Sequence, residues 1–415
     1  MQLDRRGALA AALALALSAP AVALAQDTIK MGGLATLEGP FTVLGQDGMR
    51  GLKLALQEVN YTVAGKKIEL VTASSDASPD SAVKGARKLV EQDGVQILIG
   101  PLSGSEGIAV KDYAKSQPKV TFINGSSAAQ DTTLFDPAPN FFRFSTDGVQ
   151  WMAGLGEYVF KEKGFKSVAV VAEDYSFPYS QVEGFMIPFC RLGGKVTSKS
   201  WVPIGNKDFS SVIAALPDDV DAIYVALGGA DAVNFLSQYQ QSGGSLPLIG
   251  GSITVDQTVL GAKGQQKKQI LGTPAAGPTA DTWDDPRWKK FSEDYKKAFT
   301  DAFPSPSLFA HAYYVNTKAA LLALDKVGGD LSDGGAKYRD ALSKLEFDTP
   351  TGPVKLDKNR NGIANIFVTE VVEGADGTLL NKVIKVAENV NQTLGVPEAE
   401  FLKIGPASRD NPDCK

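Results

Sequence analysis

From Thr28 onward the chain alternates short β-branched runs with longer amphipathic stretches, and it does so twice in succession. No other feature restricts the fold as much, because strands joined by helix-length crossovers pair in parallel and need cover on both faces. Strands are expected at Ile29–Leu34, Ile68–Ala73, Val95–Ile99 and Val120–Ile123. Helices are expected at Met49–Val59, at Asp80–Glu91 behind the Ser78-Pro79 start signal, and at Glu106–Ala114. After Phe141–Phe144 the pattern restarts, with strands at Val168–Val171, Val196–Trp201, Ala222–Val225 and Pro247–Ile249. The helices between them are Trp151–Lys163, Gln181–Leu192, Phe209–Leu216 and Ala232–Gln241. Two such units imply an α/β protein with two doubly wound parallel-sheet lobes. Right-handed crossovers align the strand ends along one edge, where ligands bind in open α/β sheets, so a cleft between the lobes is the expected site.

The last third departs from the alternation. Helices are expected at Pro286–Phe303, Phe309–Lys326 and Ala336–Lys344, then strands near Val354 and at Ile366–Val372. This reads as a chain that returns to finish the first lobe and then crosses again to the second.

At the N-terminus, Arg5 and Arg6 precede an apolar stretch, Gly7–Leu17, followed by Ser18, Pro20 and Ala23-Leu24-Ala25. That order is a secretory signal, residues 1–25, with mature protein expected from Gln26 in the periplasm. A spanning helix would need about 20 apolar residues, and Pro20 interrupts this run. The net charge of −5 is mildly acidic and argues against nucleic acid or anionic lipid as a partner. In an oxidising compartment the two cysteines, Cys190 and Cys414, are expected to pair and pin the tail Pro406–Lys415 to the second lobe.

Much chemistry is excluded by composition. His311 is the only histidine, so a Ser-His-Asp triad could run only through it and histidine metal clusters are ruled out. The loop Gly100–Gly107 follows a strand and precedes a helix but matches neither the dinucleotide fingerprint nor the P-loop. Glu173-Asp174 is the carboxylate pair a hydrolase could use, though adjacent residues at a strand end usually diverge. The expectation is a binding protein that is not an enzyme and needs neither cofactor nor metal; a carboxylate-dependent hydrolase is the alternative.

Two strand-end loops carry glycines and small hydroxyls: Ser103, Gly104 and Ser105, then Gly125, Ser126 and Ser127. Each lies just before an expected helix start. Free backbone N–H groups there carry the positive end of the helix dipole, so such loops can hold a carboxylate without arginine. Turn and capping roles account for either loop alone.

With these residues in view, the sequence resembles the type I periplasmic binding proteins of transporters for leucine, isoleucine, valine and related ligands. The resemblance is carried by Glu38-Gly39-Pro40 after the opening strand, Ala82–Ala86, Ile99-Gly100-Pro101 and Asp174-Tyr175, in that order. It implies a three-crossover hinge near Thr146, Ala275 and Ala364. The N-terminal lobe would then comprise residues 26–146 and 276–364, and the C-terminal lobe residues 147–275 and 365–415. It also implies carboxylate contacts at Ser103–Ser105, Gly125 and Ser127, with removal of the Ser127 hydroxyl weakening binding. Members that bind amino acids hold the ammonium with an acid after a second-lobe strand, where this chain has Gly250-Gly251-Ser252-Ile253.

Around the rest of the ligand the resemblance places Phe41, Leu44, Tyr175, Phe177, Ser252 and Tyr314, with His311 nearby. Gln150-Trp151 and Asp174–Pro178 look like the subgroup that takes up aromatic acids such as benzoates and hydroxycinnamates. The implied partners are that small ligand and an inner-membrane ABC permease, the receptor acting as a monomer; an aliphatic amino acid is the other ligand class.

Overall fold

The structure is a computed structural model and describes residues 28–262 and 267–414; the expected secretory leader lies outside them. The first lobe opens with β1 (Ile29–Thr36), α1 (Thr42–Glu58), β2 (Thr62–Val63), β3 (Lys66–Ser75) and α2 (Pro79–Arg87). It continues through β4 (Ile97–Ile99), α3 (Gly104–Lys115), β5 (Thr121–Ile123) and β6 (Phe141–Phe142). Local chemistry sets several of these starts. The Ser78 side chain accepts from the Ser81 amide with Pro79 in the first turn of α2, and Ser103 and Glu106 form a reciprocal capping box on α3.

The second unit runs through α4 (Gly148–Trp151), α5 (Leu155–Lys161), β7 (Ser167–Glu173), α6 (Ser176–Arg191), β8 (Lys195–Val202) and α7 (Ser210–Ala214). It goes on through β9 (Ala222–Ala226), α8 (Gly229–Gln241), β10 (Leu248–Gly250), α9 (Gln257–Leu260), α10 (Lys267–Ile270) and β11 (Pro274–Gly277). The single helix expected over 151–163 is two, because Gly154 takes a left-handed conformation at φ +83° and starts α5 anew. The chain ends with α11 (Pro286–Ala298), α12 (Leu308–Lys326), α13 (Ala336–Ser343), β12 (Glu346–Thr349), β13 (Gly352–Leu356), β14 (Gly362–Glu373), β15 (Leu379–Val390) and α14 (Glu398–Phe401).

The first sheet has the order β2-β3-β1-β4-β5-β6 and is parallel from β3 to β6. The second has the order β12-β13-β14-β11-β10-β9-β7-β8, parallel from β11 to β8, with β14 antiparallel to β11, β13 and β15. The two lobes therefore have the expected α/β design, with an antiparallel extension on the second sheet. Helix α12 packs along α1 and joins the first-lobe core through Tyr313, Val315, Ala319 and Leu324.

A buried polar cluster ties the segments that pass between the sheets. Arg143 is fully buried; its Nε donates to Asn361 Oδ1 at 2.7 Å and its Nη1 to the Ala129 carbonyl at 2.7 Å. Gln392 Nε2 donates to Asp147 at 2.7 Å and to Thr133 at 2.9 Å. The two cysteines pair, Cys190 with Cys414, at a Cα–Cα distance of 5.3 Å.

Candidate functional site

The ends of β4 and β5 and the start of α6 meet where the two sheets face one another. On the first-lobe side Ser103 is committed to its helix: its hydroxyl caps the Glu106 amide and donates to the Ala77 carbonyl at 3.2 Å, and its own amide donates to Glu106 at 2.8 Å. Gly104 and Ser105 follow in the first turn of α3, where amides have no intrahelical acceptor. Of the two, Gly104 lines the cavity.

The second loop contributes less than expected. The Ser126 and Ser127 amides both donate to the Pro101 carbonyl, at 3.1 and 3.3 Å. The Ser126 hydroxyl, which reaches the cavity, donates to the Leu102 carbonyl at 3.3 Å. Gly125 is packed against the Tyr313 ring, its carbonyl accepting from Asn316 at 2.9 Å. Ser127 is fully buried with its hydroxyl against Gly107 and no partner for Oγ. Gly125 and Ser127 thus stand behind the loop instead of facing the cavity, because the loop folds inward to satisfy its own amides on Pro101. Removing the Ser127 hydroxyl is accordingly expected to leave binding unchanged.

The cavity is walled by Leu44, Leu102, Ser103, Gly104, Ser126 and Phe309 from one side, and by Trp151, Tyr175, Phe177 and Ile253 from the other. Aromatic rings connect the walls: Phe41 lies 6.0 Å from Tyr175, Tyr175 6.2 Å from Phe177, and Phe177 5.4 Å from Trp151 in an edge-on contact. Its volume is about 10 Å³, room for about one water. An aromatic ring enters only if the lobes part. They meet directly through the Ser105 and Ser176 hydroxyls at 3.1 Å, the Gln130 amide donating to Ser180 Oγ at 3.0 Å, and the Leu308 amide donating to Asp256 at 2.8 Å.

His311 and Tyr314 are not part of this cavity. His311 is buried between Trp288 and Phe291 on the far side of α12, its Nε2 3.2 Å from Thr351 Oγ1. The Tyr314 hydroxyl donates to Glu58 at 2.7 Å beside Phe291. The helix explains the correction: Phe309 faces the cavity, and at about 100° per residue His311 sits roughly 200° round from it. Trp151, Leu102, Ile253 and Phe309 are the wall residues that sequence reasoning did not assign. Phe309 could have been found by carrying the helical period back from the buried Tyr313.

Ser252 is buried but not at the cavity wall; its hydroxyl accepts from Gln181 Nε2 at 2.7 Å. Two acids approach the cavity from behind. Burial pushes the Glu106 carboxyl up, while hydrogen bonds from Ser75, Ser103 and Thr36 pull it back. Burial pushes Glu173 well above the carboxylate range, with Asp231 adding repulsion, and the Gly228 amide donates to it at 3.0 Å. Both shifts weaken the negative field an anion would meet. Glu173 and Asp174 do diverge: Glu173 turns inward to Gly228, Asp174 outward to Arg409 at 2.8 Å. Among the described residues no cluster suited to holding a metal ion occurs, and no helix is long and apolar enough to cross a membrane.

A family profile described as periplasmic binding protein matches residues 28–377. Leu/Ile/Val-binding protein homolog 6 of Brucella melitensis is 26% identical over 375 residues, covering 87% of this chain and 92% of that protein. An ABC transporter substrate-binding protein from Sphaerobacter thermophilus superposes with a TM-score of 0.79 at 27% identity, covering 88% of this chain and 99% of its own. A solute binding protein of an ABC transporter from Rhodopseudomonas palustris BisB5, in complex with 3,4-dihydroxybenzoic acid, gives a TM-score of 0.81 at 26% identity over 88% of this chain and 99% of that one.

Proposed function

The chain belongs to the periplasmic binding protein family, and from that premise we propose that it captures a small aromatic carboxylate between its lobes for an ABC uptake transporter. It is an ABC-type periplasmic solute-binding protein; the ligand class and the residue roles are the proposal. The observation that carries the ligand class is the cavity itself, lined by aromatic and aliphatic side chains on both sides, with Gly104 in its wall at the first turn of α3, where the Gly104 and Ser105 amides have no intrahelical acceptor. The carboxylate would dock first on those amides and the Ser105 hydroxyl. The second lobe would then rotate about crossings near residues 146, 275 and 364 to cover the ring with Tyr175 and Phe177.

An amino acid fits less well. None of the residues that wall the cavity is acidic, so the ammonium would forgo a charge-assisted bond worth about 1.5–3 kcal/mol. A ring burying about 150 Å² contributes roughly 4 kcal/mol at ~25 cal/mol/Å². Micromolar affinity needs about 8 kcal/mol net, so the anion contacts must supply much of the rest. The Rhodopseudomonas protein bound to 3,4-dihydroxybenzoic acid supports this reading. The Brucella relative, named for leucine, isoleucine and valine, supports the second one, an aliphatic amino-acid receptor.

Thermal-shift measurements with benzoate, 4-hydroxybenzoate and 3,4-dihydroxybenzoate against leucine and isoleucine separate the two. The aromatic acids are expected to raise Tm and the amino acids to leave it unmoved; the opposite ranking hands the site to the amino acids.

A further inference from the structure

Beyond α14 the tail runs along the second lobe to the Cys190–Cys414 disulfide. Before reaching it, the tail is held at one place on the β7–β8 edge. Trp201 Nε1 donates to the Arg409 carbonyl at 3.3 Å, and Lys199 Nζ to the Pro412 carbonyl at 2.7 Å. The Arg409 guanidinium grips Asp174 with two bonds, Nε to Oδ1 at 2.8 Å and Nη2 to Oδ2. Tyr179 donates its hydroxyl to the same carboxylate and packs edge-on against Trp201 at 4.9 Å. Asp174 is the residue immediately before Tyr175, Ser176 and Phe177. That segment supplies two walls of the cavity and the hydroxyl that meets Ser105 across the lobes.

An exposed ion pair contributes little by itself, because confining two long side chains costs entropy. Here that cost is incurred elsewhere. The disulfide lies five positions beyond Arg409, and two side chains of β8 hold the intervening backbone, so the guanidinium meets Asp174 at a high effective concentration. The two-pronged geometry also fixes direction, which a single lysine contact would not.

We infer that the C-terminal tail is a strap on the ligand-binding loop, in which Arg409, held by the Cys190–Cys414 bridge, clamps Asp174 and thereby positions Tyr175 and Phe177 for closure. Arg409 is a positioning residue far from the ligand in sequence. The strap itself does not depend on which ligand is bound; its effect on release rests on the aromatic-acid reading above.

Hydrogen exchange of the unliganded full chain tests the strap. The amides of Asp174, Tyr175 and Tyr179 donate to Val202, Glu173 and Tyr175 carbonyls, so their protection reports the order of this segment. Arg409→Ala and Cys414→Ser are each expected to speed exchange at these three amides about fivefold, with Arg409→Lys between wild type and Arg409→Ala and the β1 amides unchanged. Unchanged rates at the three amides, or equal acceleration across the whole chain, overturn the proposal. With 3,4-dihydroxybenzoate as probe, Arg409→Ala is expected to raise the dissociation rate about threefold. Equal dissociation rates for wild type and variant overturn the positioning role. Because exchange is read without ligand, failure of the strap is distinct from failure of the ligand assignment.

Discussion

Glu183 on α6 is buried with neither carboxylate oxygen hydrogen-bonded, and burial raises its pKa to about 8, helped by Asp147 and Asp131. Between the ordinary value of 4.5 and about 8 the folded chain holds a proton that the unfolded chain has released, so stability falls as pH rises through this window. His311 works in the opposite sense. Burial lowers its pKa from 6.5 to about 3, so the stability it contributes is present above 6.5 and lost as pH falls toward 3. Glu183→Gln keeps the shape and removes the ionisable group. It is expected to raise Tm by about 2–4 °C at pH 8 with most of the gain lost by pH 5, as calorimetry at the two pH values would show. A gain equal at both pH values would mean that the charge is not the cause. Neither shift was legible in the sequence, since a glutamate in a helix reads as solvated until its neighbours are known. The resemblance likewise puts His311 and Tyr314 at the ligand pocket by chain position alone, and only the rotation of α12 decides which way they point.

At the scale of elements, the first-lobe core depends on how closely α1 and α12 approach. A Cβ on Gly51 would lie 1.9 Å from the Ala310 carbonyl oxygen, so only glycine permits this contact. Gly51→Ala is expected to cost about 1–3 kcal/mol or more, read as a lower urea midpoint at unchanged m-value. Most elements were legible from periodicity and start signals: the Ser78-Pro79 start of α2 and the Ser103–Glu106 box of α3 are written locally. The strand β15 was not. Its alternation carries lysines at 382 and 385 along a half-exposed ribbon, and its pairing with β14 is a long-range choice that local pattern does not announce. The short β11, Pro274–Gly277, was hidden likewise, because four small residues become a strand only when β10 and β14 flank them.

For the molecule as a whole, function rests on two lobes that meet over a cavity too small for the proposed ligand. At Gly104 the lobes approach closely: a Cβ there would fall 2.8 Å from both Cβ and the amide nitrogen of Phe177. Gly104→Ala is therefore expected to hold the lobes apart, increasing the radius of gyration in small-angle scattering and weakening 3,4-dihydroxybenzoate binding about tenfold through faster release. An unchanged scattering profile with unchanged affinity would show that the lobes need not meet at this point. By itself the sequence determined the two α/β units, the start of α2 behind Ser78-Pro79 and the disulfide partners, because hydrophobic period, capping chemistry and cysteine number are local or countable properties. Only the tertiary structure decided that Ser126 and Ser127 turn their amides inward to Pro101, that Trp151 and Phe309 form walls, and that the tail grips Asp174. Those outcomes depend on which way a loop or helix is rotated against partners tens to hundreds of residues away, and that rotation is set by packing.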